Sequence, residues 1–203
     1  MEGSLLLDHL NGNFSNIRNY NFRPQDSLSF AFNGRFLDTA AFHLRVDESY
    51  TDPLFGFLMT LTIKPASLTI LNPLLAPLSN IKFTSGKIDS FYMTAAGNEN
   101  LARGNMTFYY HGLHLQIIKA GQISETSFLK LVESGLVNAF VLKTNNRDRN
   151  GLIYFKRLKD RSFFNYMNKI IFSGVATSVG AKKNNRYRKD FINDAEEEKK
   201  DGK

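Results

Sequence analysis

The stretch GNMTFYYHGLHLQIIK, residues 104–119, decides the fold class. Its apolar residues recur at every second position: Met106, Phe108 and Tyr110, then Leu113, Leu115 and Ile117. Side chains of a strand point alternately to opposite faces, so this spacing predicts extended chain with one apolar and one polar side. The phase slips at His111-Gly112, a dipeptide that reads as a turn between two antiparallel strands.

The same period runs through the chain before it. SLSFAF (27–32) sets Leu28, Phe30 and Phe32 against Ser27, Ser29 and Ala31. AFHLRV (41–46) sets Phe42, Leu44 and Val46 against His43 and Arg45. GFLMTLTIK (56–64) sets Phe57, Met59, Leu61 and Ile63 against Leu58, Thr60, Thr62 and Lys64. LIYFKRL (152–158) reads as one more strand, and Asn33-Gly34, Asp52-Pro53 and Gly97-Asn98 supply turn signals. The prediction is a mainly β fold with a few helices, an antiparallel meander greasy on one face and wet on the other.

Three segments follow helical rules instead. LNPLLAPLS (71–79) offers Asn72 as N-cap and Pro73 as first helical residue, and Pro77 keeps it short. TSFLKLVESGLVNAFVL (126–142) has apolar residues at helical spacing. RSFFNYMNKIIFSGV (161–175) is amphipathic: Phe163, Tyr166, Met167, Ile170, Ile171 and Val175 share one half of its circumference. Asn165, Asn168, Lys169 and Ser173 take the other half, with Phe172 among them. Such a helix packs on a sheet or lies on a membrane surface, and both readings stay open at this point.

Composition narrows the function classes. The 203 residues suffice to bury a core, and the chain contains no cysteine, which removes disulfides, thiolate metal sites and cysteine nucleophiles. No apolar run reaches the length of a spanning helix, and the start, MEGSLLLDHLNGN, has an acid where a signal peptide has its basic region. That abrupt, strand-like beginning suggests a piece of a longer protein, with any anchor upstream. Of the net charge of +7, the excess is concentrated near the end: from Leu152 to Lys189, ten basic residues stand against the single acid Asp160. Localised positive charge implies an anionic partner, or a solubilising tail in the polar segment 181–203, which reads as disordered.

Catalytic patterns are not apparent. Gly86-Lys87 lacks the upstream glycine of a phosphate loop, and no Gly-x-Ser-x-Gly elbow or paired carboxylates occur. His111 and His114, three apart in a strand, would face opposite ways, so they read as turn-flanking residues rather than metal ligands. Nucleic acid is disfavoured because the sheet aromatics alternate inward with aliphatics and the basic residues surround an apolar helix. The chain is therefore expected to be no enzyme and to carry no cofactor.

Taken in order, NGRFLDTAAFHLRVD, the Asn-Pro-Leu-Leu helix, the Ser-Gly-Lys-Ile-Asp strand start, the Tyr-His-Gly-Leu strand pair and the Arg-Ser-Phe-Phe-Asn-Tyr helix resemble the C-terminal region of bacterial AsmA-like envelope proteins. The likeness is to the Bacteroidetes type and covers most of residues 1–180; the tail after Lys182 lies outside it. The resemblance implies a curved, open antiparallel sheet, a groove or half-barrel capped by short amphipathic helices. It also implies a periplasmic module of a longer protein anchored to the inner membrane, shielding phospholipid acyl chains in transit between membranes and supporting outer-membrane homeostasis.

On that basis the groove wall is expected from Phe30, Phe32, Phe42, Leu44, Phe57, Met59, Leu61, Met106, Phe108, Leu115 and Ile117. Contacts with headgroups or a membrane surface are expected from Lys156, Arg157, Lys159, Arg161, Phe163, Phe164, Lys169 and Phe172. The expected partners are phospholipid, a membrane surface and upstream modules of the same protein. The alternative is a dry β domain that docks an acidic envelope partner through its basic end.

Overall fold

The computed structural model describes residues 6–73, 81–117 and 144–179, together with Lys189 and Asn193. Eight strands form one antiparallel sheet: β1 (Leu7–Ser15), β2 (Ser27–Phe36), β3 (Ala40–Ser49), β4 (Phe57–Ile63), β5 (Ala66–Ser67), β6 (Ile81–Gly97), β7 (Leu101–Ile117) and β8 (Asn150–Lys156). Their order is β1-β2-β3-β4-β6-β7-β8, with the short β5 beside β6. The sheet is open: β1 and β8 are its two edges. Among the described residues the α-helix α1 (Phe163–Val179) follows β8 and packs back over β8 and β7. The mainly β, open-sheet reading is thus what the chain adopts, with this helix as its cap. The segment 126–142 lies outside the described residues.

Period two placed the strands, but two turn assignments need correction. His111-Gly112 is not a hairpin turn; it lies inside the 17-residue strand β7. Gly112 has φ +63° and Gly86, across the pair on β6, has φ +127°. The register of β6 and β7 shifts three times between Phe83 and Ser90. These bulges absorb the slip in alternation, so Met106, Phe108, Tyr110 and Leu113 are all buried along one continuous strand. The glycines make this possible, because a side chain is strained at such φ values.

Asn33-Gly34 is likewise not a turn but mid-strand in β2, with Phe42 opposite Gly34. The chain reverses at Leu37 and Asp38, both at positive φ, and Thr39 N donates to Phe36 O at 3.0 Å. Two consecutive positive φ values make the type I′ geometry that suits the twist of a hairpin. Residues 74–79 of the expected 71–79 helix lie outside the described residues, and Asn72 takes helical backbone angles, φ −60° and ψ −39°, rather than those of an N-cap. A 3₁₀ turn (Leu68–Leu71) begins earlier, capped by Ser67. The Asn72 side chain instead pairs with the backbone of Phe83, accepting from its N at 2.8 Å and donating to its O at 2.9 Å.

The helix docks through small residues as much as large ones. Tyr166, Met167 and Ile170 are buried as its amphipathic pattern predicts, but so are Ser173, Gly174, Thr177 and Ser178. Ser173 therefore belongs to the packed face, not the wet one. Its Oγ accepts from Tyr154 N at 3.1 Å and donates to Tyr154 O at 3.0 Å, while Thr177 Oγ1 donates to Leu152 O at 2.7 Å. These are groups on the free edge of β8. The helix so covers a face and closes an edge that would otherwise template aggregation.

Candidate functional site

The register lines the apolar residues up in rows across the sheet. One row runs Phe14, Phe30, Val46, Met59, Ala95, Gly104 and Ile153. The next runs Phe32, Leu44, Leu61, Met93 and Met106, and a third runs Phe42, Ile63, Phe91 and Phe108. Nine of the expected wall residues, Phe30, Phe32, Phe42, Leu44, Phe57, Met59, Leu61, Met106 and Phe108, therefore share one face. Leu115 and Ile117 continue β7 opposite Phe83 and Ile81, and their side chains are outside the described set.

That face divides into two regions. Near α1 the protein covers itself: Met59 and Met106 are sealed, and Phe57, Leu61 and Phe108 are buried. Phe57 meets Phe163 and Tyr166 edge-on at 5.4 and 5.9 Å, so Phe163 is a core contact of the helix. Toward β1 the cover thins. Phe30, Phe32 and Leu44 are half-buried, and Phe14 on the edge strand is 54% exposed. Phe14 packs on Phe30 at 5.8 Å and on Phe32 at 5.6 Å, making an aromatic wall open on one side. Phe14 was missed by the sequence reading because its own strand, LDHLNGNFS, is polar and nearly unalternating.

The expected cationic contacts divide in a similar way. Lys156, Lys159 and Arg161 are exposed; Lys159 lies 3.8 Å from Glu99 and Arg161 3.3 Å from Asp160. Phe164 projects from the first turn of α1 and is 73% exposed, whereas Phe172 is half-buried. Lys169 is half-buried too, and desolvation lowers its pKa. Arg157 turns inward, its guanidinium 5.6 Å from the centre of the Tyr166 ring. Its Nε and the Tyr166 hydroxyl are buried and meet no hydrogen-bond partner among the described residues. Burial pushes the Tyr166 hydroxyl well up, against a smaller opposing effect of Arg157.

Glu48 stands at the same end of the apolar face, paired with Phe57 and Leu28. Desolvation raises its pKa and the charge of Arg157 lowers it less. A carboxyl with a folded-state pKa above its unfolded value costs stability once pH exceeds the unfolded pKa. Glu48→Gln is therefore expected to raise the thermal midpoint at neutral pH. In acid, where both states are protonated, it should make no difference. Melting curves at the two pH values check this.

His111 and His114 do not converge. His111 Nδ1 lies 2.8 Å from Asp89, and His114 Nδ1 lies 2.8 Å from Ser85 Oγ. Among the described residues no three His, Asp or Glu side chains gather as a metal site, and no helix is long and apolar enough to cross a membrane. The chain is thus defined structurally as an open antiparallel sheet with one self-covered and one open stretch on its apolar face. No family model matches it, and no curated protein or solved structure is similar to it.

Proposed function

We propose that the chain is a non-enzymatic lipid-handling module whose apolar face shields acyl chains, within a longer periplasmic protein anchored to the inner membrane and serving transport between the two membranes. The observation that carries this reading is the incomplete cover of a single apolar face. A row of Phe, Leu and Met crosses the five strands from β2 to β7, yet α1 lies over β8 and β7 and leaves Phe14, Phe30, Phe32 and Leu44 partly open. An ordered aromatic wall in contact with water is unfavourable unless something apolar covers it, at about 25 cal/mol per Å². An acyl chain meets that need along a row of side chains without demanding polar partners. The resemblance to AsmA-like proteins supports the same reading.

Within this reading the wall narrows to Phe14, Phe30, Phe32 and Leu44, because Phe57, Met59, Met106 and Phe108 already touch the protein's own core. The test is mass spectrometry of the organic extract from purified protein, beside a Phe14→Asp/Phe30→Asp variant shown to be folded by circular dichroism. Phospholipid near one equivalent in the wild type and lost from the variant is the expected result. No lipid in either would overturn the proposal and favour the dry docking domain.

A further inference from the structure

Of the thirteen large apolar side chains that stand exposed among the described residues, seven lie in or next to connections at one end of the sheet. The antiparallel register puts the β1–β2, β3–β4 and β6–β7 connections and the β8–α1 connection at one end of the sheet. At this end Ile17 is 73%, Tyr20 76% and Phe22 41% exposed, Leu54 and Phe55 41% and 60%, Leu158 48% and Phe164 73%. At the opposite end Leu6 and Leu7 are 59% and 42% exposed beside a β2–β3 turn made of half-buried Leu37 and exposed, polar Asp38 and Thr39. Single exposed hydrophobics need no explanation, but seven at one end, against two at the other, do.

The loops that carry them are well tied down. Tyr50 OH donates to Asn16 O at 2.6 Å and accepts from Arg18 N at 3.0 Å, and the Tyr50 ring stacks on Phe22 at 4.6 Å. Arg18 pairs with Asp26 at 2.9 Å. In the next loop, Asp52 takes up Leu54 N at 2.8 Å and Phe55 N at 3.0 Å, and Leu54 O accepts from Glu99 N at 2.9 Å. Phe55 is held at φ +54°, a conformation costly for a bulky residue, with its ring outward. Order spent on pointing apolar groups at solvent indicates a surface that meets something apolar.

The geometry points to a bilayer interface as the occupant: this end of the sheet inserts its loop tips among lipid headgroups. Two features favour lipid over a protein partner. The tips are spaced across six strand intervals, about 29 Å, rather than gathered in one patch that a partner could seal. Cations lie between them: residues 16–26, 50–56, 98–100 and 156–162 hold five exposed Lys and Arg, besides the inward-turned Arg157, against four Asp and Glu. Apolar tips with interleaved Lys and Arg suit the headgroup boundary, and the small net charge leaves apolar insertion as the larger contribution. Phe14 and Phe30 on the open wall lie toward this end, so the inference deepens the lipid-handling proposal and rests on it for its purpose.

The chain contains no tryptophan, so single reporters can be placed at will. Phe55→Trp and Phe164→Trp test the proposed end, and Leu6→Trp, 59% exposed at the other end, is the control. Each is mixed with vesicles of phosphatidylcholine and phosphatidylglycerol in equal amounts. Emission should shift to the blue for the first two and stay unchanged for the third. No shift in any, or an equal shift in all three, would overturn the docking end. Co-purified lipid without these shifts would overturn the docking end alone; shifts without co-purified lipid would overturn only the acyl-chain wall.

Discussion

Gly151→Val is expected to detach α1 from the sheet and to cost about 4 kcal/mol, enough to unfold a domain of ordinary stability in part of the population. The reason is the closeness of two backbones. A Cβ on Gly151 would fall inside contact distance of Gly174 O and Ser178 Oγ, and 2.9 Å from Thr177 Oγ1. Flexible side-chain ends can move aside, but the Gly174 carbonyl belongs to the helix itself. Gly174 faces the same constraint from the other side, since a Cβ there would lie 2.6 Å from Met106 Cε and 3.0 Å from Ile153 Cγ1.

Lifting the helix by one methyl diameter would also break the bonds from Ser173 and Thr177 to the edge of β8. Each buried backbone group left unpaired costs about 1–3 kcal/mol. Met106, Ile153, Met167 and Ile170, all sealed or nearly so, would then meet water. Guanidinium denaturation should show a lower midpoint, and a dye that binds exposed apolar surface should brighten before the main transition. A variant with wild-type stability would mean that α1 does not lie on β8, and the self-covered region of the face would lose its basis.

How much of this was legible in the sequence follows from the range of the forces involved. Alternation is local, so the apolar side of each strand could be read from spacing, whereas the common face of Phe30, Phe42, Met59 and Phe108 follows from the cross-strand register. The bulges could not be read from spacing: His111-Gly112 and Asn33-Gly34 both look like turns, and only cross-strand pairing shows that β2 and β7 run through them. Burial of Ser173 and Thr177 was hidden for a similar reason. Their hydroxyls look like a wet face until the free edge of β8 is brought against them. Which stretch of the apolar face α1 covers depends on Gly151 and Gly174 meeting, a contact between distant positions. The exposed rim was partly visible, in Phe164 and its neighbouring cations, but Ile17, Tyr20 and Phe55 join it only through the antiparallel register.

Asn146→Ala is expected to cost about 3 kcal/mol, and Asn146→Asp to do so in a pH-dependent way. Asn146 is buried beyond the end of β8, where β7 has lost its strand partner. Its backbone replaces that partner: Asn146 N donates to Tyr110 O at 2.8 Å and its O accepts from Tyr110 N at 2.9 Å. Its side chain does the same, Nδ2 donating to Phe108 O at 2.7 Å and to Arg149 O at 3.0 Å while Oδ1 accepts from Arg149 N at 3.1 Å. Alanine deletes all three side-chain bonds and leaves the Phe108 carbonyl buried without this donor. Aspartate keeps the shape but, ionised, sets an oxygen against that carbonyl. Burial and this repulsion both raise its folded-state pKa above the unfolded value of about 3.9. Stability relative to wild type should then be highest below the unfolded pKa, where the protonated carboxyl can donate, and fall as pH rises through the folded pKa. Urea midpoints of the wild type and both variants across that range test the sign: a constant gap for aspartate would mean that Phe108 O does not depend on the Asn146 amide.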